Sequence, residues 1–263
     1  FFNFKKMRIL CYQHMSKSAS FRFHESLNDF LLLSKRNGAI LYSFNDTPAI
    51  KHAIETIGIP HPEVDVILVN GVPVDFLYPL HNNDEAEVYP ASAAGIFPES
   101  WLLTPQHPVP EKFILDVHLG KLARALRLFG FDTWYENDYT DKAIVQIAEA
   151  EKRIVLTRDV NLLKHKLLKI GYWVRSQLVE EQLAEVIRRF KLKAKFKPFE
   201  RCVECNGKII KVDKETILDK LLPKTILYYN DFFQCNCCER IYWRGSHYEQ
   251  MQQFIEKIEK LFA

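Results

Sequence analysis

Phe113-Ile114-Leu115-Asp116-Val117-His118-Leu119-Gly120 decides the fold of the larger part of this 263-residue chain. A short apolar run ends on a carboxylate, and a helical pattern from Leu119 to Phe129 follows at once, closed by Gly130. The alternation continues outward. Phe131 to Tyr135 reads as a second strand, Arg153-Ile154-Val155-Leu156 as a third and Tyr172-Trp173-Val174 as a fourth. Between them the pattern predicts a helix capped by Asp141, with Ile144, Ile147 and Ala148 on one face, and another from about Asn161 to Lys169. A last helix runs from Glu180 to Phe190. Repeated βαβ units imply an α/β fold with a mostly parallel sheet and helices on both faces.

In such a sheet, ligands bind beyond the carboxyl ends of the strands. Asp116 follows the first strand, Asp159 follows the third through Thr157-Arg158, and Asp138 and Asp141 lie after the second. Topology alone therefore sends these acids to one edge. Carboxylates gathered without a lysine partner need a cation, and oxygen ligands suit Mg²⁺ or Mn²⁺. Each acid also has a plainer reading: Asp138 as a turn residue, Asp141 and Asp159 as helix caps. Asp116 is harder to explain so, because an acid at the end of a buried strand is costly unless satisfied.

Cysteine spacing marks a second module. Cys202-x-x-Cys205 and Cys235-x-x-Cys238 form two knuckles that read as a structural Zn²⁺ site, with Cys237 a rival for Cys238 that equal spacing disfavours. Cys11 stands alone, as a small buried hydrophobe. Ahead of the knuckles runs Lys191-Leu192-Lys193-Ala194-Lys195-Phe196-Lys197. In an extended chain its lysines, Lys193 and Lys195 among them, line one side and could track a phosphate backbone. Tyr242, Trp243 and His247 are candidates for stacking on bases.

Charge is uneven. The chain carries a formal +3 overall, divided as −3 over residues 1–110, +5 over 111–200 and +1 over 201–263. The positive excess in the middle third points to a polyanion partner. At 48% hydrophobic and 13% aromatic residues, wholesale disorder is excluded. No apolar run approaches the ~20 residues that span a bilayer, and Phe1 to Lys6 is too soon interrupted by lysines for a secretory signal. A cytoplasmic protein without membrane partners is expected.

The first third reads as mixed strand and helix. Phe21 to His24 and Ala39 to Phe44 alternate like strands. Thr47 and Pro48 open a helix bearing Ile50, Ala53, Ile54 and Ile57, which Gly58 closes. Val64 to Val69 meets Val72 to Phe76 through the hairpin signal Asn70-Gly71, and Asp84 to Tyr89 is a last strand. This order resembles the ubiquitin-like β-grasp fold in its small sulfur-carrier branch. Those carriers end on a free Gly-Gly tail, whereas Val88-Tyr89-Pro90 runs on, so carrier chemistry is not expected. Pro and Ala punctuation over 91–110 reads as a linker.

The stretch Phe113 to Asp132, with Arg153-Ile154-Val155-Leu156-Thr157-Arg158-Asp159 and Gln182-Leu183, resembles the Mut-seven C-terminal ribonuclease domain, a PIN-like nuclease with an appended zinc ribbon. Arg201-Cys202-Val203-Glu204-Cys205-Asn206-Gly207 and Tyr242 to Tyr248 resemble its ribbon. Leu27-Asn28-Asp29-Phe30 and Gly58 to Val64 resemble the ubiquitin-like domain that precedes it, which would begin near Met15 and leave residues 1–14 as an extension. The resemblance implies a metal-dependent ribonuclease in which Asp116 and Asp159 bind Mg²⁺ or Mn²⁺, with Asp141 rather than Asp138 as third acid. Lys121, Arg124 and Arg158 are then candidate RNA contacts, and Arg127 is left open. A non-catalytic module binding ribosomal or transfer RNA is the alternative. The expected organisation is a ubiquitin-like β-grasp domain over 15–90, a linker over 91–110 and a PIN-like nuclease domain over 111–198. A zinc ribbon over 199–251 and a C-terminal helix over 252–263 complete it. The partner of the β-grasp domain is not legible.

Overall fold

The computed structural model describes residues 16–91, 95–103 and 111–262, in two compact units, Phe1–Leu103 and Thr104–Ala263. Residues 1–15, Cys11 among them, and half of the expected linker, 92–94 and 104–110, lie outside the described residues. No helix among the described residues is long and apolar enough to cross a membrane.

The first unit holds β1 (Lys17–Phe23), β2 (Ala39–Phe44), α1 (Ile50–Ile57), β3 (Val64–Val69), β4 (Val72–Val74) and β5 (Glu85–Pro90). Its sheet order is β2-β1-β5-β3-β4, with β1 and β5 parallel at the centre and the other pairs antiparallel. This is the expected β-grasp arrangement. Ala19, Phe21 and Phe23 alternate into the core against Ile50, Ala53 and Ile54 of α1. Asn70 and Gly71 sit at φ 51° and 79°, the paired left-handed conformations a tight hairpin needs. Thr47 does not cap α1; Ala49 does. The backbone of residues 48–50 is drawn into pairing instead, Leu80 N–H donating to the Pro48 carbonyl at 2.9 Å and Ile50 N–H to Tyr78 at 2.8 Å. Residues 95–103 pack on this unit: the Phe97 ring meets Tyr89 at 4.8 Å, and Leu103 N–H donates to the Asp65 carbonyl.

The second unit begins with β6 (Lys112–Leu115), α2 (Gly120–Leu128), β7 (Asp132–Trp134), α3 (Asp141–Glu151), β8 (Ile154–Thr157), α4 (Val160–Leu163), β9 (Gly171–Trp173) and α5 (Val179–Arg189). The sheet order is β7-β6-β8-β9, and every pairing is parallel. Period-two alternation splits the core into two layers. Phe113, Leu115, Ile154 and Leu156 face α2 and α5, while Ile114 and Val155 face α3 and α4. α4 is one turn long, not the expected helix to Lys169. Leu163 and Leu168 both close over Gly171, where a Cβ would lie 2.7 and 2.8 Å from their methyls.

After α5 the chain does not extend. Lys191 takes φ 52°, Leu192 is fully buried in the core, and Lys193–Lys195 forms a short 3-10 turn. Burial of Leu192 and the packing of Phe196 on Phe129, 4.7 Å between centroids, outweigh any strand tendency. The four lysines therefore do not line one side of a strand. The Lys195 ammonium bonds Glu111, and the Lys193 ammonium bonds the Phe262 carbonyl. The chain then crosses Gly130, whose φ is 92° and whose missing Cβ would sit 2.3 Å from the Lys197 carbonyl oxygen. Gly130→Ala is expected to destabilise this unit by about 1–3 kcal/mol or more, read as a lowered melting temperature. A variant melting like the parent would contradict this packing.

The remainder comprises β10 (Ile209–Val212), α6 (Pro223–Tyr228), β11 (Phe232–Cys235), β12 (Ile241–Trp243) and α7 (Ser246–Lys260). β10, β11 and β12 form an antiparallel sheet. α7 starts at Ser246, earlier than the sequence suggests, and Ile255 and Ile258 carry it into the core beside α2 and α5.

Candidate active site and thiolate centre

Asp116 ends β6 with its carboxylate buried, 5% exposed. Its Oδ1 accepts the His118 N–H at 2.8 Å, and its Oδ2 accepts the Arg158 N–H at 2.7 Å and the Thr157 hydroxyl. The Thr157 oxygen in turn accepts the Asp159 N–H at 2.8 Å, so β6 and β8 are tied together at their carboxyl ends. Asp159 is exposed and caps α4, accepting the Asn161 N–H at 2.7 Å. Thr140, not Asp141, caps α3; Asp141 is exposed in its first turn, and Asp138 is exposed in the preceding loop. Tyr135 closes this edge. Its hydroxyl sits 3.0 Å from the Val117 carbonyl and 2.6 Å from Asn137 Oδ1, directly over Gly120. Burial, then the negative charges of Asp116 and Glu136, raise the Tyr135 pKa.

Three residues of this edge escape sequence reasoning as site residues: Thr157, Gln182 and Glu185. Glu185 accepts the N–H groups of Arg175 and Ser176 after β9, at 2.9 and 2.8 Å, and the Gln182 amide donates to the Ser176 carbonyl. The Arg158 guanidinium donates to that same carbonyl at 3.0 Å, which turns its side chain towards β9. Gln182 is signalled by the Gln182-Leu183 motif, and Glu185 only by its position in the helix that follows a strand.

The thiols form a second centre. Among the described residues, Cys202, Cys205, Cys235 and Cys238 are the one group of three or more His, Cys, Asp or Glu whose ligand atoms crowd together, all within 4.8 Å. Asp116, Asp141 and Asp159 do not form such a group. Sulfur separations of 3.6 Å (Cys202–Cys238) and 3.3 Å (Cys205–Cys235) approach the ~3.8 Å edge of a tetrahedron with ~2.3 Å Zn–S bonds. The set can hold a structural metal such as zinc. Both knuckles turn the same way, with Asn206 and Glu239, each four residues after the first cysteine, at φ 69° and 56°. Burial opposes ionisation of Cys202, yet the Tyr242 hydroxyl 3.0 Å away and backbone N–H groups bring its pKa down to about 7. Burial pushes Cys238 up to about 12.

The family model described as the Mut7-C RNAse domain matches residues 111–255, more than half of the chain. The protein belongs to the Mut7-C RNAse domain family. A second model, Mut7-C ubiquitin, matches residues 16–95, the five-stranded unit. No curated protein and no solved structure matches the chain.

Within the Mut7-C domain the ribbon is joined closely to α2 and β7. Arg127 is buried, and its guanidinium donates to the carbonyls of Thr133, Val203 and Glu204, which makes it a structural clamp. Arg124 is exposed and bonds Glu204, as does Arg240. Lys121 is exposed in the first turn of α2. Asp132 bonds Arg153 at 2.7 Å and the Asn206 amide at 2.9 Å, with Arg201 at 3.4 Å. Burial alone would raise its pKa, but Arg153, Asn206 and Arg201 together hold it below the ordinary carboxylate value. A depressed folded-state pKa contributes stability that is present above about pH 4 and lost as pH falls through the folded value. Asp132→Asn is expected to cost about 1–3 kcal/mol at pH 7, with the gap to the parent narrowing at a second pH well below about 4. Melting curves at the two pH values measure it, and a gap independent of pH would refute the assignment.

Proposed function

We propose that the chain is a cytoplasmic, metal-dependent ribonuclease that hydrolyses RNA phosphodiester bonds at the carboxyl edge of its parallel sheet. Asp116, Asp141 and Asp159 would hold Mg²⁺ or Mn²⁺, and the four thiolates structural Zn²⁺. The observation that carries the reading is the state of Asp116. Its carboxylate is buried, accepts three N–H or O–H donors, and pairs with no lysine or arginine side chain among the described residues. Donors on both oxygens fix the direction of the carboxylate. A carboxylate oxygen offers two acceptor sites, so Oδ1, with one N–H on it, keeps one for a ligand. Asp159 likewise spends one oxygen on its helix cap.

An all-carboxylate donor set fits a hard divalent cation. Mg²⁺ retains several waters and takes only one or two carboxylates directly, which suits acids less tightly gathered than the thiols. When bound, such an ion supplies Lewis-acid stabilisation of the phosphoryl oxygens and an acidified water. The chain's own residues would hold the substrate: Lys121 and Arg124 lie on α2, the helix that follows Asp116, and Arg158 follows Thr157, with Arg124 meeting a phosphate only by releasing Glu204 and Arg158 only by releasing the Ser176 carbonyl. Lys193 and Lys195 can join them only by releasing Phe262 and Glu111. The test is cleavage of labelled RNA by zinc-loaded protein with and without added Mn²⁺. Asp159→Asn should lose most activity and Asp138→Asn little. Equal activity in the parent and Asp159→Asn would overturn the ligand assignment.

A further inference from the structure

The ribbon carries an aromatic pocket that hydrolysis at the sheet edge does not use. A cavity of about 380 Å³ is walled by Phe199, Phe233, Tyr242, Trp243 and Tyr248, with Leu128 of α2 also lining it. That volume lies at the low end of small-ligand sites, ~300–1,000 Å³. The Phe199 and Tyr248 rings stack 4.6 Å apart, with their planes 28° from parallel. Trp243 is 36% exposed, held from behind by Tyr229 and Phe232. Gly245 admits the indole, since a Cβ there would stand 3.0 Å from its Nε1. The charged residues of the rim are Arg201, Lys211 and Arg244 against Glu200. Arg201 is engaged by Asp132 and Lys211 by Asp231, whereas Arg244 lies over the Tyr248 ring.

We infer that this pocket receives an unstacked nucleobase of single-stranded RNA, with Arg244 on the neighbouring phosphate. Flat aromatic faces beside cations are what a base and its phosphate require, and an exposed tryptophan supplies the face. The geometry of α2 connects the pocket to the acids. That helix starts at Gly120, four residues after Asp116, and rises ~12 Å to Leu128 in the pocket wall. A strand a few nucleotides long spans this distance. A duplex keeps its bases stacked inside, so the pocket selects single strands. The inference rests on the ribonuclease reading for its choice of RNA as ligand.

The experiment uses the full zinc-loaded chain without added Mg²⁺ or Mn²⁺, and three labelled probes: an oligouridylate, an abasic phosphodiester of equal length, and duplex RNA. The parent should prefer oligouridylate to the abasic strand. Trp243→Ala should weaken oligouridylate binding about 5- to 150-fold, the value of one base–aromatic stack, and leave the other probes unchanged. Trp243→Phe should retain most of the affinity, and Arg244→Glu should weaken the oligouridylate and the abasic strand alike. Zinc content and melting temperature confirm the fold of each variant. A parent that binds oligouridylate and abasic strand equally overturns the inference without any variant. So does a loss in Trp243→Ala that is equal for all probes, or a self-association that only this variant abolishes. Intact Mn²⁺-dependent cleavage with no base preference would sink the pocket alone; base preference without cleavage would sink only the hydrolytic reading.

Discussion

Asp116→Asn is expected to lower RNA cleavage by about a hundred- to a thousand-fold, the several kcal/mol that a divalent ion would contribute with its ligand set intact. It also costs stability. Both Asp116 oxygens accept N–H groups, from His118 on one side and Arg158 on the other. An amide must turn its own N–H₂ towards one of them, which leaves a buried donor facing a donor at about 1–3 kcal/mol. In a unit of this size that is roughly 2–4 °C in melting temperature per kcal/mol. Activity measured well below the variant's melting point separates the two effects. Loss of cleavage with a folded variant assigns Asp116 to the reaction, whereas parental rates would place any activity elsewhere.

Losing the thiolate metal is expected to cost more than any other change. Structural zinc contributes on the order of 10 kcal/mol to small ribbons. Cys205→Ser removes one of four close sulfurs, and the ribbon it leaves behind is the surface that Arg127, Thr133 and Asp132 bond to. Unfolding should therefore reach the α2–β7 corner and appear as early melting of the whole second unit. Elemental analysis should find one zinc per parent chain and far less in the variant. A variant of unchanged melting temperature would contradict both the metal and the clamp.

The elements that could be read from the chain are those in which one local period decides. Phe113, Ile114 and Leu115 alternate between two core layers as strand geometry requires, and the cysteine pairs carry their spacing openly. Lys191 to Lys197 misleads because its alternation imitates a strand, while burial of Leu192 is satisfied by a turn instead. The clamp of Arg127, Asp132 and Asn206 joins residues more than seventy positions apart, and no local pattern announces it. Thr157 looks like any β-branched strand residue until its hydroxyl is seen between Asp116 and Asp159. Asp159 could be read as cap or as ligand, and its cap is what the structure displays.

The central claim is that the acids at the carboxyl edge make RNA hydrolysis depend on a divalent ion. It is tested most directly by the cleavage rate of labelled single-stranded RNA, followed as Mn²⁺ is added to zinc-loaded protein. The account predicts negligible cleavage without Mn²⁺, a saturable rise as it is added, and a flat response in Asp116→Asn. A rate independent of added Mn²⁺, or the same saturable rise in Asp116→Asn, would contradict it.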